Sequence, residues 1–147
     1  MNHYTEEGGV MVDKATQVLL VDDERPVLRS MEKTFLRAGF DVETAADITE
    51  GLALFNQAMK EQRPFDIAVL DLNMPNFDGV ESPDAGLDLL KELIEVRPDL
   101  PVIVLTAFDT VSKAKAALSA GARDYFVKGR EEGLVELVNK TLATGGK

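Results

Sequence analysis

Four short apolar runs in this chain each end in a side chain able to do chemistry. QVLLV runs into Asp22 and Asp23, IAVL into Asp71, VIVL into Thr106, and DYFV into Lys128. Three carboxylates gathered in one crevice repel one another, and a hard divalent ion relieves that repulsion. Mg²⁺ takes one or two carboxylates and fills its remaining positions with water and phosphate oxygens. A hydroxyl, an ammonium and such an ion are the groups needed to hold the oxygens of a phosphoryl group in transit. An aspartate can itself be the nucleophile, giving an acyl phosphate. Asp71 is the residue read as that nucleophile: it stands where a buried strand meets a loop, and Pro75 cannot continue a central strand.

Each residue also has an ordinary reading. Asp22 or Asp23 alone is a helix cap, Thr106 a strand-end hydroxyl, Lys128 a surface lysine, and Met74-Pro75 a turn. Their common placement, at the carboxyl ends of the first, third, fourth and fifth predicted strands, is not what capping preferences alone produce. Open α/β sheets bind their ligands at that edge.

The elements that position them alternate along the chain. After the strand 17–21, Pro26 suits a first helical turn, Val27, Leu28, Met31, Phe35 and Ala38 recur at helical spacing, and Gly39 closes the helix. A more polar strand, 40–45, reads as an edge. Asp47 and Glu50 make a capping-box-like start for a helix with Ile48, Leu52, Phe55 and Met59 on one face, ending before Pro64. The strand 65–71 follows. Beyond it, Ser82-Pro83-Asp84 either caps the third helix early or belongs to a longer loop before Gly86. Pro98 and Pro101 bracket a turn before the strand 102–105. A helix capped by Asp109 or Thr110 runs to about Ala120 and ends at Gly121, the strand 124–127 follows, and a last helix carries Leu134, Leu137, Val138 and Leu142.

Five strand–helix alternations predict an α/β fold: a doubly wound, five-stranded parallel sheet of order 2-1-3-4-5, flavodoxin-like, with helices on both faces. In that order Asp22, Asp23 and Asp71 converge at one edge. Residues 1–15, which include the single histidine, His3, read as a loose tail, 16–144 as one domain, and 145–147 as a frayed end.

The chain has 147 residues, a net charge of −10 and no cysteine. The acidic balance argues against direct binding to nucleic acid, since phosphate affinity comes mainly from Lys and Arg. Without cysteine there is no thiol catalysis, thiolate metal site or disulfide framework. Nothing resembles a secretory signal or a membrane span, so a cytoplasmic protein without membrane attachment is expected.

Val21-Asp22-Asp23-Glu24, Asp71-Leu72-Asn73-Met74-Pro75, Thr106-Ala107 and Asp124-Tyr125-Phe126-Val127-Lys128 together resemble the CheY-like receiver domains of two-component response regulators, over about residues 16–144. The resemblance implies a signalling phosphoacceptor, not an enzyme turning over a separate substrate. Asp71 would accept the phosphoryl group from a histidine kinase or phosphotransfer protein. Asp23 would bind Mg²⁺ (Mn²⁺ is an acceptable substitute) directly and Asp22 largely through water, with Asp71 and the backbone carbonyl of Asn73 completing the set. Thr106 would donate to the phosphoryl oxygens, Lys128 would pair with them, and Tyr125 would be an aromatic switch, against its plain reading as a half-buried strand residue. Asn73 and Phe108 occupy positions that influence phosphoryl lifetime in this family.

Two features depart from that pattern. Gly129 stands where the family usually has a proline joined by a cis bond. A cis bond to a non-proline residue costs roughly 3 kcal/mol, so a trans bond and a reshaped loop are expected. Residues 80–85 read as an insertion beside the acceptor.

The output is either an unknown partner protein or an effector domain of a longer transcriptional regulator from which this receiver is cut, and homodimerisation through the last strand and helix is compatible with both. Two other classes fit less well. An aspartate-nucleophile phosphatase of the haloacid dehalogenase type needs a second acid where this chain has Asn73. A flavin-binding, flavodoxin-like protein needs a hydroxyl- and glycine-rich phosphate loop where this chain has Asp-Asp-Glu.

Overall fold

Every residue in the runs 18–21, 67–70 and 102–105 is at most 1% exposed, which is the condition of strands covered on both faces. The computed structural model describes residues 4–7, 10–13, 15–75, 81–82, 84–107, 111–129 and 131–145. Its main sheet contains β1 (Gln17–Val21), β2 (Asp41–Ala45), β3 (Ile67–Asp71), β4 (Val102–Thr106) and β5 (Asp124–Val127). The spatial order is β2-β1-β3-β4-β5, all parallel, as the alternation predicts.

Five helices join these strands: α1 (Arg25–Arg37), α2 (Ile48–Lys60), α3 (Ala85–Val96), α4 (Val111–Ser119) and α5 (Glu131–Gly145). Side chains alternate across the sheet with period two. Leu19, Val21, Ala68, Leu70, Val102 and Val104 pack with Phe55, Leu89, Leu93 and Ala117 of α2, α3 and α4. Val18, Leu20, Ile67, Val69, Ile103 and Leu105 pack with Met31, Phe35, Leu134 and Val138 of α1 and α5. The two layers hold the carboxyl edge of the sheet in place.

Local chemistry sets the helix starts. Pro26 occupies the first turn of α1, where its missing N–H costs nothing. Asp47 caps α2 by accepting from the Glu50 amide at 2.7 Å, and the Glu50 carboxylate in turn accepts from the Ala46 amide at 2.9 Å. The return bond of this box therefore reaches one residue beyond the usual partner. The Asp109 and Thr110 caps considered for α4 lie outside the described residues.

Three segments differ from the sequence reading. Tyr4–Glu7 and Val10–Asp13, inside the stretch expected to be a loose tail, pair antiparallel as a separate two-stranded sheet. Two strands too short to show alternation carry no periodicity. After β3, Met74–Pro75 and Glu81–Ser82 form a second short antiparallel ladder, and α3 begins at Ala85 with Asp84 as its N-cap residue. At the other end α5 continues to Gly145. Among the described residues no helix is long and apolar enough to cross a membrane.

Candidate phosphoacceptor site

The strand register brings the reactive residues level. Val21 pairs with Leu70, so Asp22 and Asp71 leave the sheet side by side. Asp71 pairs with Leu105, and the Leu72 amide donates to the Leu105 carbonyl at 3.0 Å, which sets Thr106 one step further along the next strand. Thr106 pairs with Val127, and the Lys128 amide donates to the Thr106 carbonyl at 3.0 Å. Four elements thus deliver their last residues to one place.

Asp22 and Asp71 are buried and Asp23 is half-buried, with one carboxylate oxygen of each lying within 4.8 Å of the others. Asp22 Oδ1 accepts from the Glu24 amide at 2.9 Å, and Asp71 Oδ1 from the Asn73 amide at 3.3 Å. Lys128 Nζ reaches into this cluster. It lies 3.0 Å from Asp22 Oδ2 and 3.4 Å from Asp71 Oδ2, and it donates a short hydrogen bond to Glu24 Oε1. The contact with Asp22 is an ion pair without hydrogen-bond geometry, so Asp22 Oδ2 is a buried oxygen with no hydrogen-bond partner.

The electrostatics follow from this crowding. Burial, and then the neighbouring charge of Asp22, push the Asp71 carboxyl up to about 7, against the opposing pull of Lys128 and the Asn73 amide. Burial works against the Lys128 ammonium, but its bond to Glu24 and the charges of Asp71 and Asp22 outweigh that and hold its pKa above the usual lysine range. One ammonium is not enough for this cluster: Asp71 still sits far above an ordinary aspartate.

The donor set fits a hard divalent ion. Three carboxylates share one space, one of their oxygens is buried without a hydrogen bond, and all the donors are oxygens. Asn73, expected to add its backbone carbonyl, is exposed beside Asp71 and tied to it through its own amide. Thr106 is buried, and its hydroxyl donates to the Ala107 carbonyl at 3.2 Å. Tyr125 pairs with Val104 and is half-buried against the core layer of α2, α3 and α4. The structure therefore brings Asp22, Asp23 and Asp71 together, with Lys128 against Asp22 and Asp71, Thr106 adjacent by register and Tyr125 on the flanking face. Phe108 lies outside the described residues.

The family model for the response regulator receiver domain matches residues 18–139. This chain belongs to the response regulator receiver family. The receiver is 35% identical over 128 residues to the photosynthetic apparatus regulatory protein RegA of Cereibacter sphaeroides, covering 87% of this chain and 62% of RegA. It is 40% identical over 112 residues to the response regulator MprA of a Mycobacterium species, covering 76% of this chain and 44% of MprA. The chain thus spans about half the length of these relatives. Among solved structures, a CheY-like receiver domain protein from Methanospirillum hungatei superposes with a TM-score of 0.75 at 28% identity, over 90% of this chain and 97% of that one. A response regulator from Chloroflexus aurantiacus does so with 0.73 at 31% identity, over 88% and 99%.

Two residues important to this receiver's site escaped the sequence reading. Glu24 was seen only as part of the acidic motif, yet it is a direct partner of Lys128. Gly86 was seen only as a boundary. A Cβ there would stand 2.2 Å from the Asp71 carbonyl oxygen and 2.6 Å from Leu72 Cα. The available signal was a glycine in the first turn of a helix, where better helix formers are the rule. Gly129 behaves as its departure from proline suggests. No described peptide bond is cis, and Gly129 takes φ +119°, which proline cannot reach.

Proposed function

We propose that this receiver accepts a phosphoryl group on Asp71 from a histidine kinase or phosphotransfer protein, and that the acyl phosphate shifts the face made by α4, β5 and α5 toward an output partner. The observation that carries the reading is the Lys128 ammonium, 3.4 Å from Asp71 and 3.0 Å from Asp22 at the carboxyl edge of the sheet.

In the transfer, an oxygen of the Asp71 carboxylate forms the new O–P bond. The P–N bond to the donor imidazole breaks, and the departing nitrogen keeps the electron pair and takes up a proton. Mg²⁺, or Mn²⁺ in its place, held by Asp22, Asp23, Asp71 and the Asn73 carbonyl, would supply the positive charge that lets an anionic group approach three carboxylates. Lys128 pairs with one phosphoryl oxygen. The Thr106 hydroxyl gives up its bond to the Ala107 carbonyl and donates to another. Its movement frees space that Tyr125 turns in to fill, and the added charge thereby biases one of two packings of the flanking face. The receiver assists its own phosphorylation and dephosphorylation and turns over no other substrate.

The experiment is incubation with acetyl phosphate and Mg²⁺ followed by intact-mass measurement. One added phosphoryl group, absent in Asp71→Ala and in EDTA, is expected. An unchanged mass, or equal labelling of Asp71→Ala, defeats the proposal.

The output reading has two forms, a partner protein or an effector domain of a longer transcriptional regulator. Relatives of both lengths are known: the chain covers 62% of RegA and 44% of MprA, but 97% and 99% of the Methanospirillum and Chloroflexus structures. In either form the domain, with its charge of −10, leaves nucleic-acid contact to another part, works in the cytoplasm, and is free to dimerise through β5 and α5.

A further inference from the structure

We infer that Glu24 is a positioning residue that holds the Lys128 ammonium at the solvent side of the site and so frees Asp22 and Asp71 to take up a divalent cation. The inference rests on the proposed cation site formed by those carboxylates.

The geometry is one of competition. Lys128 Nζ lies within 3.0 Å of Asp22 Oδ2 and 3.4 Å of Asp71 Oδ2, so the ammonium occupies the same two carboxylates that a cation requires. It cannot simply retreat into the protein, because a half-buried ammonium without a counter-charge carries a desolvation cost. Glu24 supplies the alternative. Its side chain is 60% exposed, it is already hydrogen-bonded to the same nitrogen, and it follows Asp22 and Asp23 on the loop into α1. The Glu24 amide also donates to Asp22 Oδ1 at 2.9 Å, so the loop that carries this carboxylate is fixed to the site. When a cation arrives, Lys128 gives up Asp22 and Asp71 and keeps Glu24. The ammonium then stays close enough to meet an incoming phosphoryl group.

Without the Glu24 carboxylate, Lys128 has only Asp22 and Asp71, and a cation must displace it outright. Glu24→Gln keeps the size of the side chain and removes the charge. The measurement is Mn²⁺ binding, read from the electron paramagnetic resonance signal of free Mn²⁺ at about 0.15 M ionic strength, where exposed charges farther apart than about 8 Å are screened. No phosphodonor is present. Glu24→Gln is expected to raise the Mn²⁺ dissociation constant roughly threefold to fivefold, the range for a partly exposed charged pair.

The deciding comparison is the same substitution in Lys128→Met. If Glu24 acts through Lys128, its effect falls below about twofold there, because coupled residues are not additive. An equal loss in both backgrounds means that Glu24 merely adds negative charge, and overturns the inference. So does unaltered Mn²⁺ affinity in Glu24→Gln. A native protein that takes up no Mn²⁺ removes the cation site and the Glu24 role together. A native protein that binds Mn²⁺ with the expected coupling, but gains no phosphate, preserves this inference and defeats only the phosphoacceptor reading.

Discussion

Gly86 lies against the end of β3 so closely that a methyl group on its Cα would stand 2.2 Å from the carbonyl oxygen of Asp71. The Gly86 amide also donates to the Leu72 carbonyl at 3.2 Å. The first turn of α3 thus rests directly on the backbone that leaves β3, with no side chain between them. Since the close atoms are main chain, neither partner can rotate away.

Gly86→Ala is therefore expected to push the Asp71–Leu72 backbone and α3 apart, at a cost of about 1–3 kcal/mol typical of overpacking. Labelling by acetyl phosphate should slow by more than the stability loss explains, because the displaced backbone carries Asp71, the proposed acceptor. Urea unfolding and intact-mass time courses on the same variant check both parts. Native labelling kinetics in a protein of lowered stability would show that this contact serves folding alone.

At Gly129 the constraint is conformational and not spatial. Among the described residues, leaving out its chain neighbours, no atom lies within 4 Å of a Cβ built there, but φ is +119°, a region L-residues avoid. Gly129→Ala should cost about 1–2 kcal/mol. That corresponds to a melting point lower by about 3–8 °C for a domain of this size. Gly129→Pro should cost more, because its ring fixes φ near −65° and the loop must rebuild. A calorimetric scan in which the proline variant melts at or above the native temperature would contradict the observed turn.

How far the sequence reveals all this depends on the range of the interaction involved. The strands 18–21, 67–70 and 102–105 are continuous apolar runs because helices cover both faces, so their place in a parallel sheet is legible. With the sheet order known, Asp22, Asp71, Thr106 and Lys128 fall at one edge by counting. The Glu24–Lys128 contact is different, since it depends on how two long side chains bend across 104 residues of sequence separation. The Gly86 contact depends on the approach of α3 after an insertion whose length hides its register. Tyr4–Glu7 and Val10–Asp13 are strands of four residues each, too short for alternation to stand out.

The raised Asp71 pKa makes a pH prediction for the metal-free protein. With an ordinary value of 3.8 and a folded value of about 7, the folded state binds the extra proton between those limits. Stability then falls as pH rises from about 4 to about 7 and levels off above, the opposite of a salt-bridged aspartate. Asp71→Asn removes this dependence. In EDTA, the variant's advantage in urea midpoint over the native protein should grow across that interval. A difference that stays constant with pH would show that Asp71 titrates normally.

Removing the cation from the cluster gives a complementary test. Lys128→Met leaves Asp22 and Asp71 without their counter-charge and should cost about 1–3 kcal/mol in EDTA, less than a fully buried pair because the ammonium is partly exposed. Mg²⁺ restores the missing positive charge, so the variant should gain more stability from Mg²⁺ than the native protein does. Thermal melts with and without Mg²⁺ report this directly. Equal gains in both proteins would mean that the ion binds away from these carboxylates.

Under the proposed switch, substituting Tyr125 separates acceptance of the phosphoryl group from its transmission. Its ring is half-buried against the layer that includes α4, while the register of β5 on β4 pairs it with Val104, two residues before Thr106. Tyr125→Ala should therefore leave Asp71 labelling by acetyl phosphate within about twofold, since no charged or donating group of the acceptor site is lost, and should lower stability by about 1–3 kcal/mol through the lost packing. Its effect should appear at α4, Val111–Ser119. In the native protein, the phosphoryl mimic beryllofluoride should change amide hydrogen exchange across α4, because Thr106 moves and the ring follows. In Tyr125→Ala the mimic should still bind, but the exchange change at α4 should shrink. An α4 response of native size in the variant would assign Tyr125 to packing alone and require another route from Thr106 to that helix.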